Sequence, residues 1–138
     1  MERSENVLGE RLQQCGTQPM TGFFRDGYCN TSAADNGSHT VAGVVSDGFL
    51  SFSASRGNDL RGLLSGGCKW CLCASRWKES FDAWKRGEID RDSVPKVMLE
   101  ATHKRALDRV KLDDLKAFDV KSSTISNPSD PAQGGPIR

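Results

Sequence analysis

The sequence predicts an α+β fold in which a small mixed sheet of short strands is flanked by helices, with a long ordered N-terminal loop region. Three observations lead there. Short apolar or alternating runs suited to strands are interleaved with apolar stripes at helical spacing, in the order strand, helix, strand, helix, strand, helix. The N-terminal part follows neither period, yet carries aromatic residues that a packed loop would use. Finally, 138 residues with 36% hydrophobic and 27% charged side chains suit one ordinary core.

Residues 9–39 are broken repeatedly by Gly, Pro, Asn and Asp, as in GTQPMTGFFRDGYCNTSAADNGSH, and read as successive turns. Phe23, Phe24 and Tyr28 are expected to be buried and to hold this loop rigid. Residues 40–45, TVAGVV, are β-branched and apolar, the pattern of a buried strand. Ser46 then caps a short helix carrying Phe49, Leu50 and Phe52, which Gly57 ends. After a flexible RGLLSGG segment, KWCLCA alternates Trp70 and Leu72 against Cys71 and Cys73, the period of a half-buried strand with both thiols on one face. Ser75 is the expected N-cap of the next helix, where Trp77, Phe81 and Trp84 make one apolar stripe and Gly87 sits just past the end. Beyond Pro95, KVMLEA reads as a strand. Thr102 is expected to cap a helix through Ala106 and Val110, and Asp113 a last one through Leu115 and Phe118.

Residues 1–119 thus form one globular domain, and residues 120–138, rich in Ser, Pro and Gly with two isolated isoleucines, are expected to be a disordered tail. No repeat or heptad is present. With 19 Lys and Arg against 18 Asp and Glu, a net charge of +1 offers no field to attract nucleic acid or an acidic membrane. No run approaches the roughly 18 apolar residues of a membrane span. The opening MERSENVLGERLQQ has no apolar signal core, so a cytoplasmic protein is expected. Five cysteines, Cys15, Cys29, Cys68, Cys71 and Cys73, are an odd number in a chain large enough for a core, and free thiols are the expectation.

The blocks PMTGFFRDGYCNT, GSHTVAGVV, SRGNDL, WCLCASRW and LEATHKRAL, in that order and spanning about residues 6–118, resemble the signature of the domain of unknown function 2237 family. The resemblance implies a small α+β fold whose distinctive blocks are rich in Arg, Asp, Asn, Cys and His. It brings no activity, substrate or cofactor with it. The chain departs from that signature in a shortened loop before WCLCASRW, where Cys68 is an extra thiol, and in a longer insert at AWKRGEIDRDSVP.

Four constellations carry chemistry. His39 and His103 are the only histidines, the side chain most readily poised for proton transfer near neutral pH. Glu100 and Thr102 lie beside His103, and Asp59 comes from a turn that could converge on it; the competing reading is a structural histidine beside a capping Thr102. Arg25, Arg56 and Arg76, with Asn58, could clamp a carboxylate or phosphate through guanidinium forks, or could pin loops by pairing with Asp26, Asp59 or Glu79. The C-x2-C-x-C run ending in Cys71 and Cys73, with Cys15, Cys29, His39 or His103, offers thiolate and imidazole donors to zinc or copper, but lacks a second C-x2-C knuckle; buried inert thiols are the alternative. Cys73, just ahead of a helix where the dipole favours thiolate, could be a nucleophile with a histidine partner.

The reading these residues favour is a small-molecule-binding protein, an enzyme that needs no organic cofactor. His103 or His39 moves a proton, Asp59 or Glu100 orients it, and Arg25, Arg56 or Arg76 stabilises negative charge on a carbonyl- or carboxylate-bearing substrate. Isomerisation, cyclisation, elimination and hydrolysis all fit. The rivals are a metal-binding protein built on Cys71, Cys73, Cys29 and His39, and a scaffold for a partner protein. Glycine-rich phosphate loops are absent, so nucleotide cofactors are not expected.

Overall fold

The computed structural model describes residues 4–121 and, as backbone, the short antiparallel strands Ala132–Gln133 and Gly135–Pro136. The rest of the expected disordered tail lies outside the described residues. The β-branched run after His39 becomes β1 (His39–Val44), the centre of a three-stranded sheet ordered β2-β1-β3, with β2 at Lys69–Cys73 and β3 at Lys96–Val97. Both neighbours run antiparallel to β1, so the sheet is antiparallel where a mixed one was expected. Apolar alternation sets a strand's faces, but not its direction. The one parallel pairing among the described residues is an isolated bridge from Val97 to Asp119.

Alternation along KWCLC separates Trp70 and Leu72 from Cys71 as expected, while Cys73, expected on the face of Cys71, joins neither buried cluster. Trp70 and Leu72, with Val41, pack into the main core with Phe49, Trp77, Phe81 and Phe118. Cys71 turns the other way, into a smaller cluster with Cys15, Cys29, Ala42 and Ala101. α1 (Asp47–Ser55) starts where Ser46 Oγ accepts from the Phe49 N–H at 2.9 Å, and ends before Gly57, whose φ of 87° suits the left-handed turn after a helix. α2 (Ala74–Lys85) buries Trp77 and Phe81 and half-buries Trp84, and the Trp77 indole donates to the Pro95 carbonyl at 3.0 Å. Burying the indole without that partner would leave a polar N–H in the core.

Element boundaries moved at four places, the first three because a side chain or a direct junction replaced an expected one. β2 runs straight into α2, so Cys73, not Ser75, holds the N-cap position, and Ser75 lies in the first turn. KVMLEA stays a strand only over Lys96–Val97, because the next β1 donor, the Ala42 N–H, is taken by the Thr102 hydroxyl at 3.1 Å; Leu99–Ala101 becomes a 3-10 turn. Thr102 is thereby committed inward, and His103 caps the 3-10 helix Lys104–Asp108 in its place. α3 (Leu112–Lys116) begins after Lys111, with Asp113 in its first turn.

The N-terminal loop is ordered, though not by buried aromatics: Phe23 and Phe24 are 37% and 49% exposed. It is fastened to β2 instead. A disulfide joins Cys29 to Cys71, correcting the expectation of free thiols at these two positions, because the loop crosses directly over the thiol face of β2. Thr21 Oγ1 also accepts from the Cys71 N–H at 2.9 Å, and the Cys15 N–H donates to the Gly27 carbonyl at 2.7 Å. Cys15, Cys68 and Cys73 remain free. Among the described residues no helix is long and apolar enough to cross a membrane.

Candidate functional site

The loop delivers Asp35 to the start of β1, four residues before His39. The Asp35 side chain is 1% exposed and its Oδ1 lies 2.7 Å from His39 Nδ1, while the imidazole side chain is 42% exposed. Asp35 Oδ2 accepts from the His39 backbone N–H at 2.9 Å and the Thr31 hydroxyl at 3.0 Å. Burial alone would raise the Asp35 carboxyl, but these donors from His39 and Thr31 outweigh it and hold it below the usual carboxylate value. An ionised Asp35 places the ring proton on Nδ1 and leaves Nε2 as the basic nitrogen. Gly37 is part of the arrangement: a Cβ there would lie 2.6 Å from His39 Cε1 and displace the ring.

Opposite His39 in the β1–β2 register is Cys73, free, partly exposed and at the N-cap of the 12-residue α2. Directly paired strand positions bring Cβ atoms to about 4.5–5.5 Å. Among the described residues no hydrogen bond joins the two side chains; what the structure gives is their pairing in the strand register. A strand meeting a helix without a loop puts Cys73 at the helix N-terminus, where negative charge is favoured, although the Ala74 N–H already donates to the Ser38 carbonyl at 3.0 Å and the thiol makes no capping hydrogen bond.

An open cleft of about 350 Å³ lies along α2, lined by Arg56, Ser75, Lys78, Glu79, Arg86 and Arg109, among others; Ser75, two residues after Cys73, is the lining residue nearest to that thiol in sequence. Arg56 bonds Glu88 at 3.0 Å and lies 3.8 Å from Glu79, Arg86 bonds Glu88 at 2.7 Å, and Lys78 bonds Asp82 at 3.3 Å. Arg109 differs: its Nη1 donates to Ser75 Oγ at 3.0 Å, and among the described residues no carboxylate lies within ion-pair distance. It is the cation in the cleft still able to neutralise an anion.

The remaining sequence candidates make their contacts elsewhere in the fold. His103 is 6% exposed; its Nδ1 accepts from the Arg105 N–H at 3.0 Å, and its backbone N–H donates to the Thr40 carbonyl at 2.9 Å, one residue from His39. Burial, then the Arg105 and Lys104 charges, lower its pKa. Neither expected partner orients a histidine. Glu100 pairs with Lys121, which lowers its pKa, and Asp59 is held at about 2 by hydrogen bonds from Arg61. Arg25 lies over the Trp70 ring at 5.7 Å and bonds the Gly22 carbonyl, away from the other two arginines. Arg56 and Arg76 do come together, with Arg76 donating to the Arg56 carbonyl at 3.1 Å, but around Glu79, the structural pairing that competed with an anion clamp. Asn58 closes α1 by donating to Ser53 Oγ at 3.0 Å.

The set of metal donors also changes. Cys29 and Cys71 are joined, and the third sulfur near them is Cys15, all three Sγ atoms lying within 4.8 Å of one another; Cys73 and His39 lie outside that group. Burial pushes the Cys15 thiol up to about 12, with Lys69 opposing, so it stays protonated at neutral pH. Sequence reasoning missed Asp35 and Arg109. The available signal for Asp35 was an Asp four residues ahead of a histidine in a turn-rich segment; Arg109 had none. No curated protein matches the chain. The family described as "Uncharacterized protein conserved in bacteria (DUF2237)" matches residues 5–119, and the chain belongs to that family.

Proposed function

We propose that the protein is a thiol-dependent enzyme, needing no organic cofactor, that transfers or hydrolyses the acyl group of a small carbonyl compound bearing an anionic group. The observation that carries this reading is the buried Asp35 bonded to Nδ1 of a half-exposed His39 whose cross-strand partner is the free Cys73. A nucleophile, a base and a group orienting the base are the three parts that covalent catalysis needs.

In the proposed reaction, Nε2 of His39 takes the Cys73 proton after rotation of the thiol toward it. Sulfur bonds to the substrate carbonyl carbon, and the negative charge that develops on oxygen faces the first turn of α2, where the N–H groups after Ala74, whose own N–H is held by the Ser38 carbonyl, take it. The bond to the leaving group breaks as His39 returns the proton to it. Water or a second nucleophile, deprotonated by the same nitrogen, then releases the acyl group and restores the thiol. Asp35 keeps the ring in one tautomer throughout and balances the imidazolium. Arg109 pairs with the anionic part of the substrate in the cleft along α2.

A panel of carboxylate-bearing thioesters and activated esters tests this, with intact-mass detection of the acyl group. Wild-type protein is expected to form a transient adduct on Cys73 and to turn over. Cys73→Ala abolishes both, and His39→Ala slows acylation by about a hundredfold or more. Turnover that survives Cys73→Ala contradicts the proposal.

A further inference from the structure

We propose that Cys15, Cys29 and Cys71, together with the Met98 thioether, form a soft-metal site that opens when the Cys29–Cys71 disulfide is reduced, and that copper(I) is the ion it takes. The three Sγ atoms already lie within 4.8 Å of one another, on the face of the sheet opposite the main core. Met98, partly buried, packs against the same cluster. Around them stand Ala42 and Ala101, which offer no nitrogen or oxygen side-chain ligand.

This donor set decides the ion. Thiolate and thioether sulfurs are soft ligands that select copper(I), which accepts two to four of them, whereas a structural zinc site calls for four tetrahedral thiolate or imidazole donors, and only three are grouped here among the described residues. No histidine belongs to the group. The approach is provided by an open groove of about 610 Å³ lined by Gln14, Cys15, Gly16, Gly66, Gly67 and Lys69, among others. It reaches Cys15 at the margin of the cluster, and Lys69 brings positive charge to a site that becomes anionic. Two of the three ligands come from the N-terminal loop and one from β2, so a bound ion would fasten the loop to the sheet as the disulfide does.

Opening the site requires a dithiol reductant. Its two S–H groups give two protons and two electrons to the disulfide, leaving Cys29 and Cys71 as thiols while the reductant becomes a disulfide. Copper(I) then displaces thiol protons as it binds. The sulfurs involved are distinct from Cys73, so this proposal and the catalytic one stand or fall separately.

The test is anaerobic copper(I) titration of reduced and oxidised protein against a chromophoric copper(I) chelator, with X-ray absorption at the copper edge. The expected result is one copper per chain in the reduced protein with an all-sulfur shell, none in the oxidised protein, and unchanged binding in the Cys68→Ser, Cys73→Ser double variant. Cys15→Ser is expected to weaken binding at least tenfold. Equal copper in both redox states, or loss of binding in the double variant, overturns the proposal, and neither outcome depends on Cys15→Ser folding.

Discussion

His39 and His103 lie a residue apart across the start of β1, yet have opposite surroundings. His39 has a half-exposed ring backed by an ionised Asp35, whereas His103 is buried and spends its Nδ1 on the Arg105 N–H. Their sequence contexts, GSHTV and EATHK, do not separate them. What separates them is depth, which depends on Thr102 turning inward to bond Ala42 and drawing His103 under the 3-10 helix. The His103 environment has a consequence for stability. Its pKa is lowered in the fold, so the folded state resists a proton that the unfolded chain accepts near its ordinary value of about 6.5. The stabilising contribution is therefore complete above that value and is lost as pH falls from it toward the folded pKa. Thermal unfolding from pH 7.5 to 5 should show a decline that is reduced in His103→Asn, since the Asn oxygen can still cap the 3-10 helix but does not titrate.

At the scale of elements, the helices were the most legible part of the chain. The Trp77, Phe81 and Trp84 stripe gave α2, and Ser46 and Gly57 gave both ends of α1, because each rests on local spacing and capping chemistry. β3 and the last third of the fold were less legible, since there a single hydroxyl replaces a strand's backbone bonds. The loop was legible as ordered but not in what orders it: the disulfide connects residues 42 positions apart, and no local pattern encodes such a pairing. That link predicts a measurable effect. A cross-link closing a loop of this length restricts the unfolded chain by about 3–4 kcal/mol. Denaturant unfolding of wild type, with and without a dithiol reductant, should show a loss of that order. The Cys29→Ala, Cys71→Ala variant should show a similar loss and no further response to the reductant.

At the scale of the molecule, the sheet separates two kinds of surrounding. One face carries the aromatic core of Trp77, Phe81 and Phe118; the other carries sulfur, fastened to a loop. The candidate site stands where these meet, at the end of β1 and β2 nearest the start of α2. Sequence alone nominated His39 and Cys73 but could not pair them, because their proximity is a matter of strand register, with a bulge between His39 and Val41 that no periodicity announces. Arg109 was out of reach for a similar reason, brought to Ser75 by the long-range packing of a 3-10 helix, whereas Asp35 is a local neighbour four residues before His39 whose turn-rich segment carries no periodicity to mark it.

The most direct measurement of the central claim is the rate of Cys73 alkylation by iodoacetamide at neutral pH, followed by peptide mass spectrometry with the partly exposed Cys68 as internal reference. The account predicts that Cys73 reacts faster than Cys68, and that His39→Ala and Asp35→Asn each bring it down to the Cys68 rate while leaving Cys68 unchanged. Equal reactivity of the two thiols in wild type, with no response of Cys73 to either substitution, would contradict a Cys73, His39 and Asp35 site.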